Sequence, residues 1–385
     1  MGVKSEKPLI GLIMSGGGAR AAYQVGVLKA ISFMLPKGSP NPFRILCGTS
    51  AGAINATALA IYATRFQEGV KRLNFVWKNF QVEQVFRADA RGITGTSLRW
   101  LAALLLGGLG RHNPQSLLDR KPLRELLERF LPCESIQKSI DAGALHALSV
   151  TCSGYGTGMS VSFFQGAKSV KSWKRARRVG AMADITIDHL MASSAIPFVF
   201  SAVKLNREYF GDGSMRQNAP ISPALHLGAD RIMVIGVRHD LSGENQRPEI
   251  KDHPSLAQIA GHVLNSIFLD ALEADLERLE RTNKTVRLIP SIQNSNHDIA
   301  LRHVDALVIS PSQDLEKIAS RHARHLPRGV RFLLRGLGAY NRHGSNLESY
   351  LLFEKPYCRE LISLGYADAM LRRREILDFL EVKKS

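Results

Sequence analysis

Residues 44–58 read RILCGTSAGAINATA. A short apolar run, Ile45-Leu46-Cys47, leads into Gly48-Thr49-Ser50-Ala51-Gly52, and small residues follow. The order is strand, sharp turn, helix. A serine at the apex of such a turn sits in strained backbone geometry, and the glycines Gly48 and Gly52 leave room for it. Its hydroxyl then stands clear of the sheet. The following amide, that of Ala51, falls at a helix N-terminus, where N–H groups and the helix dipole favour negative charge.

Outward from this elbow, residues 9–14 form another apolar run and end in Ser15-Gly16-Gly17-Gly18-Ala19-Arg20. Val25, Leu28, Ile31 and Met34 then recur at helical spacing as far as Pro36. The first 65 residues thus alternate strand and helix, which predicts a parallel sheet. Gly16, Gly18 and Ala21 satisfy the dinucleotide pattern G-x-G-x-x-G/A, which also needs an acid about 20 residues later for the ribose. From Lys7 to Gln67 there is no Asp or Glu at all. A Walker loop fails as well, because no Gly-Lys-Ser/Thr follows. Two readings of the glycines remain: a tight strand–helix corner, or amides aimed at a developing oxyanion. Arg20, at the end of the turn, would hold that loop or supply charge.

A nucleophilic serine needs a base. Of the histidines after Ser50, neither His189, His226, His239 nor His262 stands in an obvious catalytic loop. Asp212, between Gly211 and Gly213, is either a plain turn residue or an acid brought close to another backbone.

Further along, residues 147–153 and 159–165 read as two strands joined through Gly154-Tyr155-Gly156. Residues 187–195 read as a helix, 208–214 as a strand end with a tight turn, 220–228 as a helix and 231–237 as a buried strand. A long amphipathic helix is expected over 255–282, and late strands over 286–290 and 306–310. The rest of the tail is mostly helical. Arg321, Arg324, Arg328, Arg331 and Arg335 would form a basic stripe if that part were one helix, although Pro327 and Gly329 interrupt it. Residues 98–106 (LRWLAALLL) are too few to cross a bilayer and read as a core helix, or as a lid or membrane-contacting segment.

The chain has 385 residues, 45% hydrophobic and 22% charged, values ordinary for a globular protein. The net charge of +17 is not ordinary and favours anionic surfaces or substrates. Residues 168–178 (KSVKSWKRARR) concentrate six of the cations and read as a solvated loop or a lipid-headgroup contact. No nucleic-acid motif accompanies the charge. The four cysteines, Cys47, Cys133, Cys152 and Cys358, have neither redox-pair nor zinc spacing, and no acidic cluster or EF-hand loop suggests a metal. The N-terminus lacks a signal-peptide pattern, and Glu6 stands where a myristoylation motif needs Ser or Thr. A cytoplasmic protein with reduced cysteines is expected, without cofactor or metal.

Four motifs together, Gly16-Gly17-Gly18-Ala19-Arg20, Gly48-Thr49-Ser50-Ala51-Gly52, Ala192-Ser193-Ser194-Ala195-Ile196-Pro197 and Asp212-Gly213, resemble in kind and order the patatin-like phospholipase family. The resemblance covers about residues 8–237, and the tail sequence SYLLFEKPYCRELISLGYADAM looks like that of bacterial patatin-like proteins. Two departures are visible: Ser214 where the family usually has Gly or Ala after Asp-Gly, and Ser15 where many relatives have Asp. The resemblance implies an α/β three-layer sandwich with a mostly parallel central sheet flanked by helices. The catalytic core would span 8–240, with 66–135 as a helical insertion or lid and 250–385 as a helical C-terminal extension. It further implies a Ser50–Asp212 dyad without histidine. The amides of Gly16, Gly17, Gly18 and Ala51, with Arg20 nearby, would stabilise the oxyanion, and the Ser193–Pro197 block would pack beside the site. The expected substrate is a phospholipid or another acyl ester, met by peripheral contact with an anionic membrane, on the inner surface for a cytoplasmic protein. Soluble esters or thioesters, or non-catalytic lipid binding on the same fold, are the alternatives.

Overall fold

The computed structural model describes residues 8–87, 116–239, 253, 256–288, 301–336 and 346–382. Ten strands build one sheet: β1 (Ile10–Met14), β2 (Ile45–Thr49), β3 (Ala147–Gly154), β4 (Ser160–Gly166), β5 (Trp173–Arg175), β6 (Arg178–Met182), β7 (Val203–Leu205), β8 (Glu208–Asp212), β9 (Arg231–Ile235) and β10 (Asp305–Ile309). The order is β10-β9-β1-β2-β3-β4-β6-β5, with β8 also pairing β3, and β7 pairing β8. The five strands from β10 to β3 run parallel; β4 and β8 lie antiparallel to β3. Every residue of β1 and β2 is buried, as the unbroken apolar runs require of parallel strands covered on both faces.

Alternation along the strands sorts side chains into two layers. Leu12, Met14 and Leu46 face a core shared with helices α1 (Ala22–Met34) and α2 (Ala51–Ile61). Ile13, Ile45 and Cys47 face a smaller core shared with Ala224, Leu227 and Leu279 of the opposite helical layer. The tail closes back on the first layer. The Lys355–Leu371 helix packs along α1, and the Tyr23 hydroxyl donates to Asp368 at 3.0 Å. This is a mixed α/β fold with a central, mostly parallel sheet between helices.

Three expectations change. The predicted strand at 286–290 begins within a helix, Leu256–Leu288, whose end is pinned by Asn283: its side chain donates to the Val304 carbonyl and accepts the Val304 amide. The rest of that stretch lies outside the described residues. The arginine stripe is not continuous, because a helix over Leu315–His322 and a 3-10 turn over Ala323–His325 end before Arg328–Gly336 begins. The basic run at 168–178 is no free loop. It contributes β5 and opens β6, and Trp173 stacks between Phe164 at 5.1 Å and His226 at 4.9 Å. Residues 98–106 lie outside the described residues. Among those described, no helix is long and apolar enough to cross a membrane.

Candidate active site

Ser50 lies between β2 and α2 with φ 54° and ψ −129°, a conformation that non-glycine residues adopt only when their surroundings enforce it. The enforcement is visible. The Ser50 amide donates to the Ser193 hydroxyl at 2.9 Å, and that hydroxyl donates to the Thr151 carbonyl at 2.7 Å. On the far side, α2 approaches β1 so closely that a Cβ on Gly52 would stand 2.2 Å from the Met14 carbonyl oxygen. Only glycine admits that approach.

Asp212 ends β8 opposite Cys152 of β3 and is fully buried. Its amide donates to the Ala195 carbonyl at 2.9 Å, so the 193–195 segment holds the backbones of both Ser50 and Asp212. Oδ1 accepts the Ser214 amide at 3.0 Å. Oδ2 is buried and has no hydrogen bond of good geometry among the described residues. Burial pushes the Asp212 pKa up to about 6, while the adjacent Ser50 hydroxyl, the Ser214 amide and hydroxyl and the Arg120 charge pull it down. Such a carboxyl is ionised at neutral pH yet more basic than an exposed aspartate.

Ser50, Ala51 and Gly18 open onto one apolar cavity, walled by Leu73, Val76, Trp77, Leu127, Phe130 and Phe353 among others. Gly18 has φ +54°, and a Cβ there would meet the Tyr350 carbonyl oxygen at 2.3 Å. The turn is therefore built for glycine. The remaining glycines separate: Gly17 packs against Val237, and Gly16 borders another cavity with Gly48, Thr49, Ser214 and Gln217.

Arg20 lies at the end of the glycine turn. Its guanidinium turns into the C-terminal segment, donating to Ser349 at 2.8 Å and Glu316 at 3.0 Å and lying 4.1 Å over the Tyr350 ring. Its amide is bonded to the Gly17 carbonyl. It holds the loop and supplies no charge to the cavity.

Several participants had no sequence signal. Gln24 donates to Ser15 O, Asn55 donates to Gln24, and Trp77 donates to Asn55, a buried polar chain joining the glycine turn, the elbow helix and the cavity wall. Thr49 donates to Gln217 at 2.7 Å behind the elbow. Arg120 is buried behind the 193–195 segment. Among the described residues no histidine hydrogen-bonds to Ser50 or Asp212. His189 instead bonds Thr186 within its own helix cap. No group of three His, Cys, Asp or Glu side chains among the described residues could hold a metal.

Comparison with known proteins agrees with the residue pattern. A curated relative, the cGAMP-activated phospholipase of Pseudomonas aeruginosa, is 28% identical over 218 residues, 56% of this chain. The match spans 55% of that relative, so the chain corresponds to about half of its length. Among solved structures, VipD from Legionella pneumophila aligns at 12% identity with a TM-score of 0.33, covering 98% of this chain and 67% of that one. The ExoU–SpcU complex of P. aeruginosa aligns at 16% identity with a TM-score of 0.30, covering 98% of this chain and 78% of that one. Neither structural likeness bears weight on function. The family model for patatin-like phospholipase matches residues 12–225, from β1 through the elbow and Asp212. The chain belongs to the patatin-like phospholipase family.

Proposed function

We propose that this protein is a lipid acyl hydrolase that cleaves carboxylic esters with Ser50 as nucleophile and Asp212 as base. One observation supports this above the others: a strained, buried serine on the wall of an apolar cavity, beside a buried carboxyl whose pKa is about 6.

As the Ser50 hydroxyl attacks the ester carbonyl, its proton passes to Asp212. Negative charge develops on the carbonyl oxygen, where the Gly18 and Ala51 amides are the donors nearest in the fold, with Gly17 behind them. Each such donor is typically worth about 3–4 kcal/mol in the transition state. Collapse breaks the ester bond and Asp212 returns the proton to the leaving alcohol. Ser50 is left acylated. Water, giving its proton to Asp212, then attacks the acyl carbon and releases the fatty acid with regeneration of Ser50. No imidazole is needed, because burial has already raised the basicity of the carboxylate.

The cavity suits a hydrocarbon chain, and the charge of +17 draws the protein to anionic lipid. Phe130, on the cavity wall, is 37% exposed and sits where an entering chain would cross. These features support peripheral action on an anionic membrane surface. A soluble ester or thioester substrate would make activity indifferent to vesicles.

The test is fatty-acid release from phosphatidylglycerol vesicles. Wild type is expected to hydrolyse them, and Ser50→Ala to lose at least about 10⁴-fold in rate while remaining folded. Equal turnover by the two proteins would exclude the proposal.

A further inference from the structure

Arg120 precedes the Lys121–Phe130 helix and is 4% exposed. Its guanidinium spans the segment behind the elbow: one nitrogen donates to the Met191 carbonyl and lies 3.5 Å from the Ser194 hydroxyl, and another donates to the Ser201 carbonyl at 2.7 Å. It lies 5.6 Å from the Phe200 ring centre. The contacts bracket residues 192–200, the stretch whose Ser193 hydroxyl takes the Ser50 amide and whose Ala195 carbonyl takes the Asp212 amide. Among the described residues Arg120 has no carboxylate within ion-pair distance, which is rare for a buried charge.

We infer that Arg120 is a positioning residue: it clamps the segment that holds Ser50 and Asp212 in register. The inference rests on the hydrolase reading above.

Among the described residues, the other titratable groups around Asp212 are neutral, paired or exposed. Cys152, opposite on β3, and Tyr155, just beyond, are held protonated by burial and by Asp212 itself. On the Ile187–Ser193 helix, Asp188 is paired with Arg124 and His189 is held below its usual pKa by burial. Lys204 on β7 and Arg216 after β8 are exposed to solvent. The Ser50 hydroxyl and the Ser214 amide and hydroxyl lower the Asp212 pKa more than the Arg120 charge does.

The experiment measures kcat and KM against pH on a soluble p-nitrophenyl ester for wild type, Arg120→Gln and Arg120→Lys, with Asp212→Asn as reference. In wild type the acidic limb of kcat/KM should lie near pH 6. Arg120→Gln should lower kcat on the order of tenfold with KM unchanged, because the clamp is lost, and move the limb upward only slightly, since loss of a positive charge disfavours the carboxylate. Arg120→Lys keeps the charge but cannot span three acceptors. Its limb should stay in place while kcat falls on the order of tenfold at every pH. A kcat unchanged in Arg120→Gln, or in Arg120→Lys, overturns the inference. If Arg120→Gln does not fold, the Lys variant decides alone. Full activity in Asp212→Asn would instead show that the dyad reading itself has failed, and Arg120 would lose this role with it.

Discussion

Two arginines are buried in the fold, and they are satisfied in opposite ways. Arg20 follows the glycine turn and meets Glu316, Ser349 and the Tyr350 ring. Burial lowers its pKa, but the charges of Tyr350, Glu316 and Tyr357 outweigh that effect and hold it above its usual value. Arg120 meets two carbonyls and a hydroxyl. Burial and the like charge of Arg124 lower its pKa to about 10, with only Asp212 acting the other way. The first charge is neutralised where it sits and fastens the glycine turn to the C-terminal helices. The second has no carboxylate partner among the described residues and fastens the segment behind the elbow. Burial of a cation therefore does not tell what the cation does; its partner does.

That contrast can be broken at either end. The largest effect is expected at the shared target. Asp212→Asn should lower ester hydrolysis by about 10³–10⁴-fold. The same variant should unfold at a higher temperature at pH 8 by calorimetry. The folded pKa of about 6 lies above the ordinary aspartate value of 3.8, so the fold opposes ionisation. Stability is lost as pH rises from about 4 to about 6, and removing the charge restores it. A lower melting temperature for Asp212→Asn at pH 8 would contradict the buried-carboxylate account.

Arg20→Gln should act on stability instead of chemistry. Breaking a mostly buried pair costs about 2–3 kcal/mol, less than for a fully buried one because Glu316 is 24% exposed. Denaturant melts would show this, and the acidic limb of kcat/KM should stay in place. A shifted limb in Arg20→Gln would erase the distinction between the two arginines.

The smallest expected effect sharpens the Arg20 end. Glu348 adjoins the Ser349–Tyr350 clasp, and its Oε1 is buried without a partner among the described residues. Burial raises its pKa from 4.5 to about 7, so it destabilises the fold as pH rises through that interval. Glu348→Gln should therefore raise the melting temperature by a few degrees at pH 8 and hardly at all at pH 4.5.

What could be read from the sequence followed local rules. The elbow, the glycine turn and the parallel strands each announce themselves within a dozen residues, through an apolar run ending in glycines. The resemblance added the long-range link between Ser50 and Asp212, which the fold places side by side. Residues whose meaning depends on distant partners were not legible. Glu316 meets Arg20 across 296 positions, and Ser201 meets Arg120 across 81. Residues 286–290 read as a strand because Val, Leu and Ile carry no period over so few residues, whereas the Asn283 link to Val304 belongs to a helix end. Trp173 amid six cations read as solvated because its stacking partners, Phe164 and His226, stand on other elements.

The most direct test of the Ser50–Asp212 pairing is fluorophosphonate labelling followed against pH, with the modified peptide identified by mass spectrometry. Wild type should be labelled on Ser50, with a rate that rises through about pH 6 as Asp212 ionises. Labelling should be absent in Ser50→Ala and nearly so in Asp212→Asn. Labelling of Asp212→Asn at the wild-type rate, or modification of a different serine, would contradict the pairing.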